Sequence, residues 1–426
     1  MLQVNFIRAN KDRVLAGLKT RNYTDARLGI VDTVLELDDR RKSTQTELDA
    51  LLANNNKLSK EIGGLYRTGK REAAEGLKAQ VDSQKGKVKE LEAAVRQIKE
   101  DLTNALLEIP NVPNPKVPAG DTDEDNEVFQ DWKGDLPDLG EEALPHWELG
   151  EKYKLFDFGL GAKITGSGFP LFRGQGARLQ RGLINFFLDE AHQAGYEEFI
   201  PPLLVNEDSA RATGQLPDKE GQMYHATKDN LYLIPTAEVP VTNVYRDVII
   251  NEKDFPIKMT GHTPCFRREA GSYGKDTKGL NRVHQFDKVE IVQIAHPEKS
   301  YEVLQEMLQH VEGLLKKLEL PYRILTLCGG DLGFTSALTY DFEVYSAAQK
   351  RWLEVSSVSN FETYQSNRLK VRYKGADKRT HLAHTLNGSA LALARIVAAL
   401  LENNQTAEGI KLPKALHSYV GMDTIR

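Results

Sequence analysis

The sequence predicts an α+β protein in which a long antiparallel pair of N-terminal helices precedes a domain built on an antiparallel β-sheet flanked by helices. The first observation behind this prediction is an apolar seam that repeats about every 3.5 residues through residues 77–109. The second is an irregular alternation of short β-rich runs, Gly/Pro turns and amphipathic helices after about Glu148, which favours an antiparallel sheet over a doubly wound one. With 426 residues, the chain is long enough for two or three domains with separate cores.

The apolar seam is typical of a coiled coil rather than of a globular helix. Its members are spaced alternately by four and three residues, and Gln84 is the one polar member: Leu77, Val81, Gln84, Val88, Leu91, Val95, Ile98, Leu102, Ala105 and Ile109. Because this repeat persists for more than four heptads, we expect one helix of a two-stranded coiled coil here.

A second helix-forming run, residues 31–62, precedes the seam, and Gly63, Gly64 and Gly69 stand between the two runs. Glycine allows a chain to turn back on itself. We therefore predict an antiparallel helical hairpin at about residues 30–108, within an N-terminal domain of residues 1–110. At a rise of about 1.5 Å per residue, arms of about 35 residues project on the order of 50 Å.

Charge is divided unevenly along the chain. The whole chain has a formal net charge of −5, whereas residues 36–100 contain 14 Lys and Arg against 12 Asp and Glu, so the hairpin carries +2 and the remainder −7. A net negative charge ordinarily argues against a nucleic-acid partner, although the average can hide a local basic patch. Two interpretations of the hairpin stay open: a solvated coiled coil with mixed outer charges, or a lever that reads the shape of a distant RNA.

Four prolines mark the end of the helical domain. Pro110, Pro113, Pro115 and Pro118 break the helix, and the acidic run 121–127 follows them. We predict a linker at residues 111–127 and a second domain at residues 128–426.

Cysteine usage and hydropathy argue against several protein classes. Cys265 and Cys328 lie far apart without a CxxC pair, which favours a reducing compartment and argues against a structural zinc site. The longest apolar stretch, residues 390–401, is interrupted by Arg395 and is shorter than the roughly 20 residues of a membrane span. The N-terminal residues have no apolar core behind a basic end, and Asp12 is atypical of an organellar presequence. We expect a cytoplasmic protein with no zinc and no membrane partner.

The most informative segment is residues 266–290, two apolar-framed runs joined by a polar, glycine-rich loop. If both runs are extended, alternation puts Arg267 and Glu269 on one face, and likewise every second residue of the return strand: Arg282, His284, Phe286, Lys288 and Glu290. Guanidinium groups can hold phosphate, an aromatic ring can stack on a base, and carboxylates can accept from amines or hydroxyls. This face suits a nucleotide beside a small polar substrate, although a salt-bridged hairpin facing solvent accounts for the same pattern.

Side chains must hold any nucleotide, because neither GxGxxG after a strand nor GxxxxGK[ST] occurs in the sequence. In residues 233–240, prolines flank Thr236, Ala237 and Glu238, and an extended loop there would fix Glu238 where an ammonium group can bind. A helix cap at Thr236 is the alternative.

Residues 352–360 form a β-branched run in which Glu354 and Ser356 face one way and Val355 and Ser357 the other, unless a bulge intervenes. Glu354 and Ser357 are candidate ligands for magnesium on ATP, because this ion favours one or two protein oxygens together with phosphate oxygens and water. The alternative is a half-buried strand whose serines are satisfied within the protein.

Residues 384–400 combine a polar start with an apolar helix. Asn387, Gly388 and Ser389 are expected to begin the helix and to leave N–H groups unpaired at its start, while Arg395 lies in its otherwise apolar part. Such an arginine needs a fixed anionic partner or a route to the surface. A bound phosphate and an internal carboxylate both satisfy that need.

These segments carry a resemblance to a known family. The run FRREAGSYGKDTKGLNRVHQFDKVE, residues 266–290, resembles the second signature motif of class II aminoacyl-tRNA synthetases, and its wording is similar to that of seryl-tRNA synthetases of the bacterial type. GYEEFIPPLLV, residues 195–205, resembles the first motif, and HTLNGSALALARIVAAL, residues 384–400, the third. The resemblance implies a class II catalytic domain after a coiled-coil arm that grips the long variable arm of the tRNA.

The resemblance also implies the reaction and its residues. Serine and ATP would give seryl-adenylate and pyrophosphate, and the seryl group would pass to the 3′ end of tRNA(Ser), with tRNA(Sec) as a second substrate. Arg267 and Arg395 are the implied catalytic residues. ATP would be bound by a larger set: Arg267, Arg268, Glu269, Arg282, Val283, Phe286, Glu354, Val355, Ser356, Ser357 and Arg395. L-serine would be bound by Thr236, Ala237, Glu238, Glu290 and Ser389, and magnesium, through ATP, by Glu354 and Ser357.

The first motif, with the helical residues 174–194 before it, implies a homodimer by analogy with the family, whereas residues 200–203 by themselves are an ordinary strand end with prolines. Two rival functions remain. A related ligase could load a carrier protein, but we expect it to lack the helical arm. A catalytically dead homologue could act as an RNA-binding module, but we expect it to lose motif arginines or carboxylates, all of which are present here.

Overall fold

The computed structural model describes residues 1–269 and 278–426. They form two compact units, one of Met1–Lys19 and Tyr23–Pro110, the other of Thr20–Asn22 and Asn111–Arg426.

The first unit is helical. Two long helices follow three short ones: α1 (Val4–Ala9), α2 (Lys11–Thr20), α3 (Asp25–Leu28), α4 (Ile30–Arg67) and α5 (Arg71–Leu107). The two long helices, α4 and α5, pack against each other and are joined by a short turn, so they form an antiparallel hairpin. The predicted coiled-coil arm is confirmed.

The predicted seam lies at the contact between the two long helices. Every seam position within α5 is buried or half-buried, and Leu91 and Val95 form an apolar cluster with Leu48 of α4. This burial explains why the period of about 3.5 residues is visible in the sequence, since one stripe of α5 faces its partner along its whole length.

The turn of the hairpin lies later than predicted. Gly63 and Gly64 are inside α4, and the chain reverses between Arg67 and Arg71, where Gly69 takes a φ of +77°. Two glycines cost a helix only about 1 kcal/mol each, so the neighbouring residues carry α4 through them. A left-handed conformation is strained for other residues, which is why Gly69 is the glycine that makes the turn.

The second unit is a mixed α+β domain. Its strands are β1 (Glu127–Gln130), β2 (Phe156–Asp157), β3 (Leu171–Phe172), β4 (Glu197–Glu198), β5 (Leu204–Asn206), β6 (His225–Ala226), β7 (Leu231–Leu233), β8 (Ile249–Asn251), β9 (Ile257–Phe266), β10 (Gln285–Ala295), β11 (Tyr322–Thr326), β12 (Leu338–Ser346), β13 (Arg351–Asn360), β14 (Arg372–Lys374), β15 (Thr380–Leu382), β16 (His384–Ala392), β17 (Gln405–Thr406), β18 (Gly409–Lys411) and β19 (Thr424–Ile425). Its helices are α6 (His146–Lys152), α7 (Phe158–Ile164), α8 (Gly174–Gln193), α9 (Glu207–Thr213), α10 (Glu238–Asn243), α11 (Ser300–Lys317), α12 (Thr363–Leu369), α13 (Leu393–Asn403) and α14 (His417–Val420).

One large sheet organises this unit. Eight strands lie in the order β1-β11-β12-β13-β16-β10-β9-β4, and every neighbouring pair is antiparallel except β4 with β9. The main core lies between this sheet and helices α8, α11 and α13, with Phe187, Leu315 and Leu400 as fully buried members. The predicted antiparallel α+β domain is confirmed.

The register of three central strands brings distant residues side by side. In β10, Glu290 lies opposite Gly261 of β9 and opposite Ser389 of β16. A Cβ on Gly261 would lie 2.9 Å from the carbonyl oxygen of Phe199, so only glycine fits beside that carbonyl. Glu290 therefore stands in the middle of the sheet, where it is almost fully buried.

Within the described residues, the structure has no helix long and apolar enough to cross a membrane. Cys265 and Cys328 are both buried and not joined in a disulfide.

Candidate active site

A cavity of about 460 Å³ is lined by residues on or beside the central strands β9, β10, β13 and β16. It brings together 14 of the 16 predicted site residues: Thr236, Glu238, Arg267, Glu269, Arg282, Val283, Phe286, Glu290, Glu354, Val355, Ser356, Ser357, Ser389 and Arg395.

Two predicted residues do not line the cavity. Ala237 is fully buried, and Arg268 is exposed, with its backbone N–H donating to the carbonyl of Gln222 at 2.9 Å. Residues 270–277, which belong to the second-motif run, lie outside the described residues.

The β9–β10 hairpin supplies cations, but its first strand is shorter than predicted. β9 ends at Phe266, and Glu269 has a φ of +48°, so strand alternation does not place this residue. Its carboxylate instead reaches the cavity from the irregular segment after β9 and meets Arg282 Nε at 2.7 Å. On β10, Phe286 and Glu290 do alternate into the cavity as predicted.

Arg267 and Phe286 form one wall of the cavity. The guanidinium carbon of Arg267 lies 5.3 Å from the centre of the Phe286 ring, within the range of a cation–π contact. Arg267 Nε also donates to the carbonyl oxygen of Pro235 at 3.3 Å. The wall thus presents a fixed cation and an aromatic face together, as a phosphate and a base would require.

Glu290 also lines the cavity, and two donors hold it. Its Oε2 accepts from the Thr236 hydroxyl at 2.7 Å and pairs with Lys288 Nζ at 2.5 Å. Both charged side chains are nearly inaccessible to water, and this mutual pairing offsets part of the cost of burying them. Strand alternation put Lys288 on this face, yet the prediction did not include it among the site residues. A carboxylate has about four acceptor positions, so Glu290 retains room for a substrate hydroxyl.

Glu238 is a second buried carboxylate that lines the cavity, like Glu290. Burial raises its pKa to about 7, and the nearby Glu290 carboxylate also raises it. Gln365, Lys288 and Asn387 lower the pKa by a smaller amount. The residue is therefore poised between its charged and neutral forms near neutral pH. A bound ammonium group would favour the charged form.

Gln365 fixes the orientation of Glu238. Its amide nitrogen donates to Glu238 Oε1 at 2.6 Å and to the carbonyl of Thr213 at 3.1 Å, while its amide oxygen accepts from the Thr385 hydroxyl at 2.7 Å. Because a backbone carbonyl can only accept, the network assigns the nitrogen to the Glu238 side. The sequence gives no sign of this role, since Gln365 lies on α12, far along the chain from the loop that it supports.

The loop before α10 is not extended as predicted. Glu238 already opens α10, and its backbone N–H donates to the Thr236 hydroxyl oxygen at 3.2 Å. Pro240 lies in the first helical turn, where a missing N–H costs nothing. The N-cap residue is Ala237, without a side-chain cap, so Thr236 is not the cap itself; its hydroxyl lies one residue earlier, accepts from the first helical N–H group and donates to Glu290.

A bulge in β13 brings four consecutive residues to the cavity. Ser356 pairs with Phe342 of β12 and Glu354 with Glu343, so Val355 is the extra residue between them. Strict alternation would have separated Glu354 from Ser357, whereas the bulge lets both line the cavity. The β-bulge that would allow Glu354 and Ser357 to act together is therefore present.

Arg395 pairs with Glu354 at the edge of this wall. Its Nη1 donates to the Glu354 carbonyl at 2.6 Å and to Oε2 at 3.2 Å, and its Nε donates to the carbonyl of Asn281 at 3.0 Å. Partial burial would raise the pKa of Glu354, but Arg395 and Arg267 hold it below its ordinary value. The internal carboxylate that was one alternative for Arg395 is present, and it lines the same cavity.

Residues 387–389 do not begin a helix as predicted. They belong to β16, and α13 starts only at Leu393. The close packing of two strands explains why Gly388 is part of β16. A Cβ at this position would lie 2.9 Å from Val358 of β13, so glycine allows the strands to approach. Ser389 enters the cavity from the strand, beside Asn387, which the sequence analysis did not single out for binding.

The fold and the cavity define the catalytic core of a class II aminoacyl-tRNA synthetase. Residues 222–404 match the family model described as tRNA synthetase class II core domain (G, H, P, S and T), and residues 1–113 match the seryl-tRNA synthetase N-terminal domain. A serine–tRNA ligase of Salinibacter ruber is 49% identical over 427 residues, covering 100% of this chain and 99% of the relative. The chain belongs to the seryl-tRNA synthetase family.

Solved structures agree with this assignment. Seryl-tRNA synthetase from Pyrococcus horikoshii, complexed with ATP, matches with a TM-score of 0.90 and 34% identity, covering 100% of this chain and 99% of that one. A cytoplasmic serine–tRNA ligase from Naegleria fowleri in complex with AMP matches with a TM-score of 0.86 and 27% identity, with the same coverage.

Proposed function

We propose that this chain activates L-serine with ATP, releasing pyrophosphate, and transfers the seryl group from the adenylate to the 3′ end of tRNA(Ser). One observation carries this proposal: a single cavity is lined by arginines, an aromatic ring and the Glu269 carboxylate, and also by the carboxylates of Glu238 and Glu290. The first set suits a nucleotide, and the second suits an ammonium group and a hydroxyl on one small molecule.

Arg267 is proposed to hold the α-phosphate and to stabilise the charge that develops when the serine carboxylate attacks it. Arg282 and Arg395 are proposed to restrain the departing phosphates, so electrostatic positioning supplies most of the catalysis. Phe286 would stack on adenine, Glu269 would accept from the adenine amino group, and the backbone at Val283 would line the base. Their location in the cavity supports these roles.

The serine side is proposed to recognise each end of the amino acid separately. Glu238 would accept from the ammonium group, with Thr236 beside it, and Glu290 would accept from the side-chain hydroxyl. A substrate without a hydroxyl would leave a buried acceptor unpaired, which costs up to about 10⁴-fold or more in rate. Ser389, which lies opposite Glu290, would close the same pocket.

Magnesium fits the β13 wall. Glu354 and Ser357 both line the cavity and offer the hard oxygen donors that this ion prefers. Within residues 1–269 and 278–426 no three His, Cys, Asp or Glu side chains are grouped to hold a metal ion, so the ion would complete its shell with phosphate oxygens and water. When bound, it would neutralise charge on the phosphates.

The α4–α5 hairpin is proposed to bind the long variable arm of tRNA(Ser), and by the same shape recognition that of tRNA(Sec). Apolar side chains exposed after β4, with Ile200 at 91% and Leu204 at 45%, support a homodimer through this segment. Two buried thiols outside any disulfide support a reducing, cytoplasmic setting. A catalytically dead homologue is disfavoured, because the arginines and carboxylates of the motifs line one cavity.

The test has two parts. ATP–pyrophosphate exchange is measured with each amino acid, and exchange that depends on serine is expected. Residues 36–100 are then deleted, and we expect exchange to persist while aminoacylation of tRNA(Ser) is lost. Absence of serine-dependent exchange would refute the activity, and full charging by the deletion variant would refute the role of the hairpin.

A further inference from the structure

A buried pair of polar residues, His146 and Glu402, lies outside the residues that line the cavity. Both side chains are completely inaccessible to water, and His146 Nδ1 lies 2.6 Å from Glu402 Oε1. The carboxylate also receives hydrogen bonds from the His146 backbone at 2.9 Å, the Ser346 hydroxyl and the Gln349 amide at 2.9 Å. A buried carboxylate that receives this many donors is fixed in position.

The network determines where the proton of the imidazole lies. His146 Nε2 accepts from the backbone N–H of Leu280 at 2.8 Å, so this nitrogen carries no hydrogen. Nδ1 must then carry it and donate to Glu402. Burial would raise the pKa of Glu402, but the hydrogen bonds that it receives from His146 and Ser346 together keep the pKa below its ordinary value. One imidazole thus joins a fixed anion to a single backbone N–H group.

That N–H group belongs to the short helical turn Gly279–Asn281, which lies a few residues before β10. Gly279 has a φ of +67°, and a Cβ there would lie 2.2 Å from His146 Nε2. The turn therefore packs directly on the imidazole, and only glycine fits at this position. A second connection reaches the same turn, because Asn281 Nδ2 donates to the Gln349 amide oxygen at 3.1 Å.

The Gly279–Asn281 turn supports two arginines of the cavity. The carbonyl of Asn281 accepts from Arg395 Nε at 3.0 Å, and Arg282 follows directly in the chain and pairs with Glu269. A small movement of the turn would displace both guanidinium groups, whereas Glu238 and Glu290 have no bond to it among the described contacts.

We infer that His146 is a positioning residue for the ATP half of the reaction: anchored by Glu402, it holds the Gly279–Asn281 turn by the Leu280 N–H group and thereby sets Arg395 and Arg282 for the triphosphate. This inference rests on the proposed assignment of the two arginines to ATP. It assigns no contact between His146 and any substrate.

Two substitutions at one position separate this role from a general loss of packing. In His146→Gln, the amide oxygen occupies the place of Nε2 and can accept from Leu280, while the link from the side chain to Glu402 is lost. In His146→Asn, the amide nitrogen occupies the place of Nδ1 and can donate to Glu402, while Leu280 loses its acceptor. KM for ATP, KM for serine and kcat are measured by pyrophosphate exchange, together with the thermal unfolding midpoint of each variant.

We expect His146→Asn to raise KM for ATP about tenfold, the factor that corresponds to about 1.4 kcal/mol, and to leave KM for serine nearly unchanged. His146→Gln should rescue most of the ATP effect even if both variants lose similar thermal stability. Equal KM values for ATP in the two variants would overturn the inference.

Gly279→Ala tests the same contact from the other side and leaves the buried pair intact, so it serves if the His146 variants do not fold. Its methyl group must push the turn away from His146, and we expect the same rise in KM for ATP; an unchanged value would overturn the inference. Arg395→Ala distinguishes the proposed ATP role of Arg395 from the positioning role of His146. If it leaves KM for ATP unchanged, the proposed ATP assignment fails, whereas an effect of Arg395→Ala without any effect of Gly279→Ala refutes the positioning role alone.

Discussion

The raised pKa of Glu238 makes serine binding dependent on pH in a direction that can be worked out, and the hydrogen bond from Gln365 opposes that rise. The pKa of Glu238 is raised to about 7 by burial, with the Glu290 carboxylate adding to the shift. Below that pH Glu238 is neutral and cannot pair with the serine ammonium group. We therefore expect KM for serine to fall as pH rises through about 7, and to rise again near pH 9, roughly where the α-amino group of serine loses its proton.

Replacing Gln365 with methionine keeps the approximate shape of the side chain and removes the donor to Glu238. A hydrogen bond to a charged group is worth about 1.5–3 kcal/mol, and one pKa unit corresponds to about 1.4 kcal/mol. The pKa of Glu238 should then rise by about one to two units. At pH 7 the ionised fraction would fall from about one half to between roughly 10% and 1%, so KM for serine should rise about five- to fiftyfold.

The assay is pyrophosphate exchange at saturating ATP, with KM for serine measured at half-unit steps between pH 6 and 9. Gln349→Met is the matched control, because Gln349 is a half-buried glutamine that also donates to a carboxylate, but that carboxylate is Glu402. The control should keep the wild-type pH midpoint for serine. A wild-type KM for serine that is constant between pH 6 and 8, or an unshifted midpoint in Gln365→Met, would refute the reasoning.

Two further predictions concern the substrate hydroxyl and assembly. Glu290→Ala should reduce serine-dependent exchange by about 10⁴-fold or more and leave ATP affinity unchanged. Glu269→Ala should weaken ATP affinity and leave serine affinity unchanged. Equal losses of exchange and ATP affinity in Glu290→Ala would contradict the assignment. Ile200→Glu places a charge on a large apolar side chain that is 91% exposed, and should convert a dimer to a monomer in sedimentation velocity. Val128→Glu, on the edge strand β1, should leave assembly intact, and a wild-type monomer would refute the proposed dimer.

Much of the fold could be predicted because its signals are local. The seam of α5 repeats within one helix, so its burial against α4 is legible without knowledge of any distant residue. The alternation of Phe286, Lys288 and Glu290 is likewise a property of one strand. Both signals arise from the periodicity of the backbone, which every residue of a regular element shares.

The remainder depends on contacts that sequence spacing does not reveal. Gly388 looks like the beginning of a helix, but its lack of a side chain serves the close approach of β16 to Val358 of β13. Glu269 reaches the cavity from an irregular segment, with a positive φ, and not by alternation. Gln365 and His146 support carboxylates and turns that are more than a hundred residues away in the chain. Such long-range partners leave no pattern in their own neighbourhood.

The order of strands in the large sheet also has a consequence for biosynthesis. β10 pairs with β9 soon after both leave the ribosome, but its other neighbour, β16, is encoded about 90 residues later. At about 5–20 residues per second, the edge of β10 that carries Glu290 waits on the order of 5–20 seconds for its partner. During that interval the strand is an open template for pairing with another chain. The specificity pocket is therefore closed only when nearly all of the chain has been made, and the nascent protein is most exposed to misassembly at the strand on which substrate recognition depends.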